Sequence, residues 1–232
     1  MSGNATSLSI IVPVLHESEV INGMISHLRS LPRSGDVEII VVDGDREGST
    51  ISAITDGAVI AILSEKGRAR QMNHGARTAS GGILLFLHAD AMLPNDALLR
   101  IGSAMKNPLF GAGAFELGIA SQKRIFRITE KYVALRTRFT RVPFGDQALF
   151  FRKSYFELIG GFEDIPLMED VELMRRIRRR KDRICIIPEK VIVSPRRWER
   201  EGIFYCTLRN WFLQVLYAGG VSPERLAKWY PS

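Results

Sequence analysis

The strongest constraint on how this chain folds is the alternation of short apolar segments with helical patterns in its first half. Four segments consist largely of β-branched and aliphatic residues and are predicted to be strands: residues 8–14, 37–43, 58–63 and 83–88. Helices are predicted between them at 18–30 and 68–79, the second ending before Gly81-Gly82. Strands that are apolar throughout and separated by helices are typical of a parallel sheet covered on both faces. The predicted fold class is therefore α/β, with a central, mostly parallel sheet.

The second half of the chain has a more mixed pattern. Helices are predicted at 94–105, 122–138, 169–180 and 203–221, and strands at 111–118, 143–151, 184–187 and 191–193. No internal repeat, low-complexity tract or linker rich in Gly, Ser or Pro divides the sequence. We therefore predict one domain over residues 1–232, with helices on both faces of the sheet and a helical elaboration at its C-terminal end.

The composition is that of a globular protein, since 46% of the 232 residues are hydrophobic and 25% are charged. Cys185 and Cys206 are too few for a disulfide framework or a zinc cluster, which favours a reducing compartment and a cytoplasmic location. The net charge of +7 indicates nucleic acid, anionic lipid or phosphorylated ligands as partners without choosing among them. Much of the surplus lies in residues 175–183, RRIRRRKDR. We expect this run to be mostly a solvated helix face, with attraction to anionic lipid or a polyprenyl-phosphate acceptor as the alternative.

Two apolar stretches bear on membrane association. The run at 8–15 is short, contains Pro13 and lacks a preceding positive region, so it is a poor secretory signal and too short to span a bilayer. The stretch at 203–221 has apolar side chains at helical spacing: Phe204, Leu208, Trp211, Phe212, Val215 and Leu216. We expect this helix to pack on the core. Interfacial membrane contact, peripheral to the inner face, is the alternative that its aromatic residues and nearby arginines favour.

Polar residues follow the predicted strands, at the edge where parallel sheets bind ligands. Asp43 ends the second strand, Asp90 follows the fourth, and Gly67-Arg68 opens the helix after the third. A carboxylate at Asp43 can accept hydrogen bonds from a base or ribose, and one at Asp90 can hold a hard cation that bridges phosphates. Arg68 would bring a fixed positive charge and a helix N-terminus to a diphosphate. The pattern fits a nucleoside diphosphate with a divalent metal, although each residue alone could equally serve a turn.

Five ordered motifs resemble the family-two glycosyltransferases of the GT-A fold, over residues 8–195. They are SIIVP (9–13) with Glu17, EIIVVD (38–43) with GST (48–50), GRARQMNHGA (67–76), LLFLHAD (84–90), and MEDVEL (168–173) with Arg175 or Arg176. The third and fourth motifs, with RRWE at 196–199, also look like a short bacterial subfamily named selenodomain-associated or arsenosugar-biosynthesis-type glycosyltransferases. The resemblance implies a Rossmann-like GT-A fold with a nucleotide-binding half at about 1–106 and an acceptor-binding half at about 107–232.

The resemblance also implies roles for individual residues. Those that would bind the donor, most often a UDP-sugar, are Pro13, Glu17, Asp43, Gly67, Arg68, Gln71 and Ala89. Asp90 would be the last acid of a D-x-D motif that holds Mg²⁺ or Mn²⁺, and Asp170 would be the catalytic base, with Glu169 beside it. Two positions depart from the family pattern. His88 stands at the first D-x-D position, and His16 precedes Glu17 where the family usually has Asn.

The implied reaction is inverting, metal-assisted transfer of a sugar to an unknown hydroxyl or phosphate acceptor. The metal and Arg68 would neutralise the departing diphosphate, while Asp170 would take the acceptor proton. Purely structural roles are the alternatives: Asp170 would be a helix N-cap, and His88 would be a strand-end residue that makes one hydrogen bond. Two other functions stay open: a non-catalytic nucleotide-binding or membrane-surface protein on the same fold, and a sugar-phosphate nucleotidyltransferase. Nucleic-acid binding is not expected, because no recognition module accompanies the charge.

Overall fold

The computed structural model describes residues 7–230, and these residues form an eight-stranded sheet. The strands are β1 Leu8–Val14, β2 Val37–Asp43, β3 Ile60–Leu63, β4 Ile83–Phe86, β5 Ala91–Met92, β6 Phe110–Ile119, β7 Phe150–Arg152 and β8 Arg183–Val193. Their spatial order is β3-β2-β1-β4-β7-β6-β8-β5. The first four are parallel, β7 is antiparallel to both β4 and β6, β8 is parallel to β6, and β5 is antiparallel to β8. Strands from both halves of the chain therefore share one sheet.

Helices cover both faces of this sheet. They are α1 Ile21–Ser30, α2 Arg68–Thr78, α3 Ala97–Ala104, α4 Arg124–Thr140, α5 Lys153–Leu158, α6 Glu169–Arg179, α7 Arg196–Glu201, α8 Ile203–Ala218 and α9 Pro223–Ala227. Because side chains alternate along a strand, Ile10 and Val12 join the core with α1, α3 and α4, whereas Ile11 joins the core with α2, α5 and α6. Helix α2 lies close to the sheet at Gly75, where a Cβ would stand 2.5 Å from Cγ2 of Ile11.

The predicted α/β class and mostly parallel sheet are confirmed. β1 and β2 have the predicted bounds, and the other predicted helices and strands of the first half differ only at their ends. The strand predicted at 143–151 is wrong except at its end, because 145–147 form a 3-10 turn and only Phe150–Arg152 pair with neighbours. Residues 184–187 and 191–193 belong to one long strand, β8. The short elements β5, α5, α7 and α9 were not predicted.

Helix α8 does not bury the apolar residues that define its pattern, so the prediction that they pack on the core is wrong. Phe204 is 75% exposed, and Leu208, Trp211, Phe212 and Val215 are exposed as well. The buried side consists of Cys206, Arg209 and Leu213, and Arg209 forms a 2.6 Å ion pair with Glu201 of α7. The buried side of α8 therefore includes an ion pair to the neighbouring helix. Among the helices of residues 7–230, none combines the length and hydropathy that a bilayer crossing needs.

Candidate active site

A pocket at the carboxyl ends of β1 and β4 brings together residues from distant parts of the chain. Pro13 comes from β1, Arg68 from the start of α2, His88 from the turn after β4, and Glu169 and Asp170 from the start of α6. The rest of the wall is mostly apolar: Met72, Phe86, Leu87, Gly145, Leu149 and Phe162. One cation and two carboxylates therefore meet in a partly apolar cavity, where electrostatic interactions are stronger than in water.

Asp170 is held at the start of α6 by the backbone on either side. Met168 precedes the helix in a left-handed conformation with φ 69°, which is uncommon for a residue other than glycine and marks a constrained turn. Oδ2 of Asp170 accepts the N–H of Gly145 at 2.5 Å, and Oδ1 accepts the N–H of Val171 at 2.7 Å. The carboxylate thus has a fixed orientation in the pocket wall.

Glu169 lies deeper than its neighbour. Its side chain is buried, and Oε1 stands 4.0 Å from Nη1 of Arg68. Burial and the adjacent Asp170 raise the pKa of Glu169, which the positive charge of Arg68 only partly offsets. Glu169 therefore holds a proton more readily than an exposed glutamate does.

His88 faces the same wall as Asp170. A Cβ on Gly145 would stand 3.2 Å from Nε2 of His88 and 3.1 Å from Oδ2 of Asp170, so both side chains converge on this glycine. Burial, with the positive charges of Arg68 and Arg197, lowers the pKa of His88 to about 3. The imidazole is therefore neutral near pH 7.

Asp90 and Glu17 form a second acidic region beside the pocket. Asp90 is exposed, and its charge is one reason that the pKa of Glu17 is raised, after burial and despite the opposing charge of Arg196. Within residues 7–230, no group of three or more His, Cys, Asp and Glu side chains could hold a metal ion unaided. Magnesium sites commonly use one or two carboxylates together with substrate phosphates. The oxygen donors present therefore fit a divalent cation that binds jointly with a diphosphate.

Asp43 and Gln71 are engaged in the scaffold beneath the pocket. Asp43 is fully buried, and its carboxylate accepts N–H groups of Asp45, Thr50 and Ile51 at 3.0, 3.0 and 3.2 Å. Nε2 of Gln71 donates to the carbonyl oxygens of Val14 and Val42, at 2.7 and 2.8 Å. These two side chains shape the loop after β2 and join the ends of β1 and β2. Direct binding of a nucleotide by either remains a prediction.

The remaining predicted residues lie around the same edge. Gly67 precedes α2 with φ 144°, a value that favours glycine, and Ala89 is buried in the turn that carries Asp90. A larger cavity of about 760 Å³ lies elsewhere, over the outer side of α2 near Arg46, Arg70 and Arg77. It contains none of the residues predicted for the site. The smaller pocket, with a volume of about 10 Å³ that admits no more than a water molecule, is the candidate active site because of its residues and not because of its size.

Sequence reasoning missed the turn Gly145–Gln147, which forms one wall of the pocket. Asp146 belongs to this turn, and Arg136 of α4 lies next to it, with its guanidinium 3.4 Å from the centre of the Phe144 ring. The available signal was the polar sequence Gly-Asp-Gln inside an otherwise apolar segment. Arg197, whose charge acts on His88, was noted in the sequence but had no predicted role.

Comparisons with known proteins concern the family and the fold of this chain. The family model described as glycosyl transferase family 2 matches residues 9–158. A dolichol-phosphate mannosyltransferase of Pyrococcus furiosus is 27% identical over 106 residues, which make up 43% of this chain and 30% of that protein. The chain thus matches less than a third of the length of this curated relative.

Two solved structures have a similar fold. The mannosyltransferase PcManGT from Pyrobaculum calidifontis, in complex with GDP-Man and Mn²⁺, has a TM-score of 0.61 and 25% identity, covering 81% of this chain and 56% of that one. S. aureus TarS 1–349 in complex with UDP has a TM-score of 0.61 and 14% identity, covering 81% of this chain and 60% of that one. At 14% identity the second likeness concerns the fold alone.

Proposed function

Because the chain belongs to glycosyl transferase family 2 and has the GT-A fold that its motifs predicted, we propose that it transfers a sugar from a nucleoside-diphosphate-sugar to a hydroxyl or phosphate acceptor, with inversion. The observation that carries the proposal is the convergence of Arg68, Glu169 and Asp170 in one pocket at the strand ends. Such a transfer needs a positive charge where the diphosphate leaves and a carboxylate where the acceptor is deprotonated. The pocket supplies both.

Asp170 is the general base of this proposal. Its carboxylate lies at the N-terminus of α6, and the N–H of Gly145 fixes Oδ2 at 2.5 Å. A carboxylate fixed in this way can take the proton of an acceptor hydroxyl as the hydroxyl attacks the sugar. General-base assistance of this kind contributes about 10²–10⁴-fold to the rate.

Arg68 and Glu169 act on the leaving side. The guanidinium of Arg68 stands at the N-terminus of α2, where backbone N–H groups add to the attraction for a diphosphate. Glu169 stands 4.0 Å from Arg68 in the same pocket. Asp90, with Glu17 nearby, would hold Mg²⁺ or Mn²⁺, which neutralises charge on the diphosphate when it is bound.

The donor is a nucleoside-diphosphate-sugar, and similarity to known proteins reduces the choice of its nucleotide base and its sugar. Two similar proteins, at 27% and 25% identity, are a dolichol-phosphate mannosyltransferase and a mannosyltransferase in complex with GDP-Man. This favours GDP-mannose over the UDP-sugar that the motifs had suggested. A polyprenyl phosphate is the acceptor class that agrees with the curated relative's name. Such an acceptor is already ionised at neutral pH, because the second pKa of a phosphate monoester is about 6, so the general-base role of Asp170 applies to a hydroxyl acceptor.

A ligand panel tests the proposal. Thermal unfolding is measured with GDP, GDP-mannose, UDP and UDP-glucose, each with and without Mn²⁺. A ligand present at about a hundred times its Kd stabilises the folded state by about 2.7 kcal/mol. We expect stabilisation by a nucleotide-sugar and metal-dependent release of sugar. Asp170→Asn should keep the binding and lose turnover, and Asp36→Asn, at an exposed position, should change neither. Binding without turnover by the wild-type protein would favour the non-catalytic alternative, and no stabilisation by any ligand would refute the proposal.

We also propose that the protein contacts anionic membranes through α4 and α8. Helix α4 exposes a row of apolar side chains along one side, Ile128, Tyr132, Leu135 and Phe139. Its exposed charged residues are all Arg or Lys, because its single acidic residue, Glu130, is buried. Exposed apolar residues beside positive charge are typical of helices that lie in the interface of an anionic bilayer. Helix α8 adds the exposed aromatic residues described above.

Vesicle sedimentation tests this contact. We expect binding to phosphatidylcholine vesicles that contain phosphatidylglycerol, and weaker binding to phosphatidylcholine alone. Phe139→Ser, at a side chain 78% exposed, should reduce the binding, whereas Leu158→Ser, at one 71% exposed on α5, should not. If the apolar row instead joins two copies of the chain, the protein will sediment as a dimer and leave the vesicles unbound, which would contradict the proposal.

A further inference from the structure

The loop at residues 159–168 leads from α5 to the start of α6, where Asp170 lies. Phe162 in this loop is buried and lines the pocket. Its ring packs edge to face against that of Phe86, with the ring centres 4.9 Å apart. Met168, in its left-handed conformation, ends the loop and precedes the helix. The course of this loop therefore determines where one wall of the pocket lies and where α6 begins.

Asn73 of α2 holds the loop through two hydrogen bonds to one residue. Its Nδ2 donates to the carbonyl oxygen of Phe162 at 2.8 Å, and its Oδ1 accepts the N–H of Phe162 at 3.0 Å. Paired residues of an antiparallel sheet exchange hydrogen bonds in the same way. Gly161 permits the close approach, because its φ is 66° and a Cβ there would stand 2.8 Å from Oδ1 of Asn73. Phe162 thus has a defined position relative to α2.

The same loop has further contacts with α2 and with α6. Nε of Arg70, on α2, donates to Oδ1 and Oδ2 of Asp164 at 2.8 and 2.9 Å. Both side chains of this ion pair are exposed, so it contributes less to holding the loop than the half-buried amide does. Arg176 of α6 donates to the carbonyl oxygens of Ile159 and Gly161, each at 2.6 Å. The loop therefore connects α2 with α6.

These two helices carry the two charged ends of the proposed reaction. Arg68 opens α2, on the side where the diphosphate would leave, and Asp170 lies in the first turn of α6, where the acceptor would be deprotonated. The reacting sugar must lie between them, because it is attached to the diphosphate and attacked by the acceptor. The rate of transfer therefore depends on the spacing of the two helix starts, and a misplacement of about 1 Å can cost about 10²-fold in rate.

We propose that Asn73 is a positioning residue, which sets the spacing between Arg68 and Asp170 by holding the loop against α2. The described residues that line the pocket include Phe162 but not Asn73, so the amide acts through Phe162 and touches no reacting atom. The inference rests on the proposed function. Loss of the two hydrogen bonds should slow transfer while donor affinity is retained, because Arg68 and the ends of β1 and β4 stay in place.

A comparison of Asn73→Ala with Asn22→Ala tests the inference, because both changes remove an amide that joins a helix to a loop. Nδ2 of Asn22, on α1, donates to the carbonyl oxygen of Ala53 at 2.7 Å, and its Oδ1 accepts the N–H of Thr55 at 3.0 Å. Release of sugar from GDP-mannose or UDP-glucose with Mn²⁺ gives kcat, and calorimetry gives Kd. We expect Asn73→Ala to lower kcat at least about tenfold with Kd within about twofold of the wild-type value. Asn22→Ala should change neither.

A second variant, Asn73→Asp, keeps the size of the side chain and an acceptor for the N–H of Phe162. It replaces the donor by a carboxylate oxygen, which repels the carbonyl of Phe162, so kcat should fall here as well. Thermal unfolding without ligand shows whether each variant folds.

The remaining outcomes contradict the inference in distinguishable ways. An unchanged kcat in both Asn73 variants would show that the loop keeps its position without the amide. A fall in kcat matched by an equal rise in Kd, or loss of the folded state in both variants, would indicate a general structural role. If the wild-type protein itself releases no sugar, the proposed function fails, and the inference fails with it.

Discussion

Replacing Asp146 by asparagine should make the protein more stable at neutral pH, and the gain should depend on pH in a specific way. The carboxylate has a pKa of 3.8 when exposed and about 6 in the folded protein, mainly because burial disfavours the charged form. Below about pH 4 the carboxyl group is protonated in both the folded and the unfolded state, so the raised pKa has no effect on stability. Between about pH 4 and 6 only the unfolded state releases the proton, so the folded state loses stability as the pH rises.

The size of this effect follows from the shift. A rise of about 2 pKa units corresponds to about 3 kcal/mol, at about 1.36 kcal/mol per unit. The neutral amide that Asp146→Asn introduces carries no charge to desolvate, so the variant avoids this loss. The free energy of unfolding of Asp146→Asn, minus that of the wild type, should therefore increase by up to about 3 kcal/mol from about pH 4 to pH 7 and then stay constant.

Urea unfolding measured at a series of pH values between about 4 and 8 provides the assay, because the linear extrapolation gives the free energy of unfolding at each pH. Asp36→Asn, at an exposed position, is the matched control and should show a difference near zero throughout. A flat difference for Asp146→Asn would refute the reasoning. So would a variant that is less stable than the wild type at pH 7, since the carboxylate would then be stabilising in its ionised form.

Three further substitutions test the packing around the site. Gly145→Ala places a methyl group 3.1 Å from Oδ2 of Asp170, so kcat should fall at least about tenfold while the free energy of unfolding changes little; unchanged kcat would show that the wall is compliant. Gly75→Ala places a methyl group 2.5 Å from Cγ2 of Ile11 and should lower the free energy of unfolding by about 1–3 kcal/mol, although alanine has a higher helix propensity than glycine. A variant that is more stable than the wild type in urea unfolding would contradict this. Gln71→Met removes a donor from the carbonyl of Val42 and from that of Val14, which keeps the N–H of Gly44. The variant should lose about 1–3 kcal/mol in the same assay, with a neutral result showing that water replaces the amide.

β1, β2 and β4 could be predicted because they are buried on both faces over most of their length, so their apolar character is continuous. β3, at the edge of the sheet, is apolar but only half-buried or exposed. The second half was harder, because tertiary contacts decide its structure. Gln147 uses its side chain to bond the backbone of Phe144, which turns residues 145–147 away from a strand that their neighbours would favour. Likewise, the pattern of α8 predicts an amphipathic helix, but the buried side holds Cys206, Arg209 and Leu213, and Arg209 pairs with Glu201 of α7.

The site, too, has residues that the sequence pattern predicts and residues that only tertiary contacts reveal. The sequence predicted that Arg68, Glu169 and Asp170 belong together, and the structure places them in one pocket. It predicted ligand contacts for Asp43, whose carboxylate is occupied by backbone N–H groups. Asp146 was missed, because its raised pKa comes from burial and from the nearby Asp170, which only the three-dimensional surroundings can reveal.

The pairing of β5 has a consequence for the order in which the molecule is assembled. Asp90 directly precedes β5, and β5 pairs with the far end of β8, while the carbonyl of Asp90 accepts the N–H of Ser194 at 3.3 Å. A growing polypeptide therefore releases the proposed cation ligand from the ribosome long before the strand that positions it. Metal-dependent nucleotide binding should appear only after β8 has been synthesised and has joined the sheet. Nucleotide binding by the nascent chain would therefore indicate that the sheet is complete.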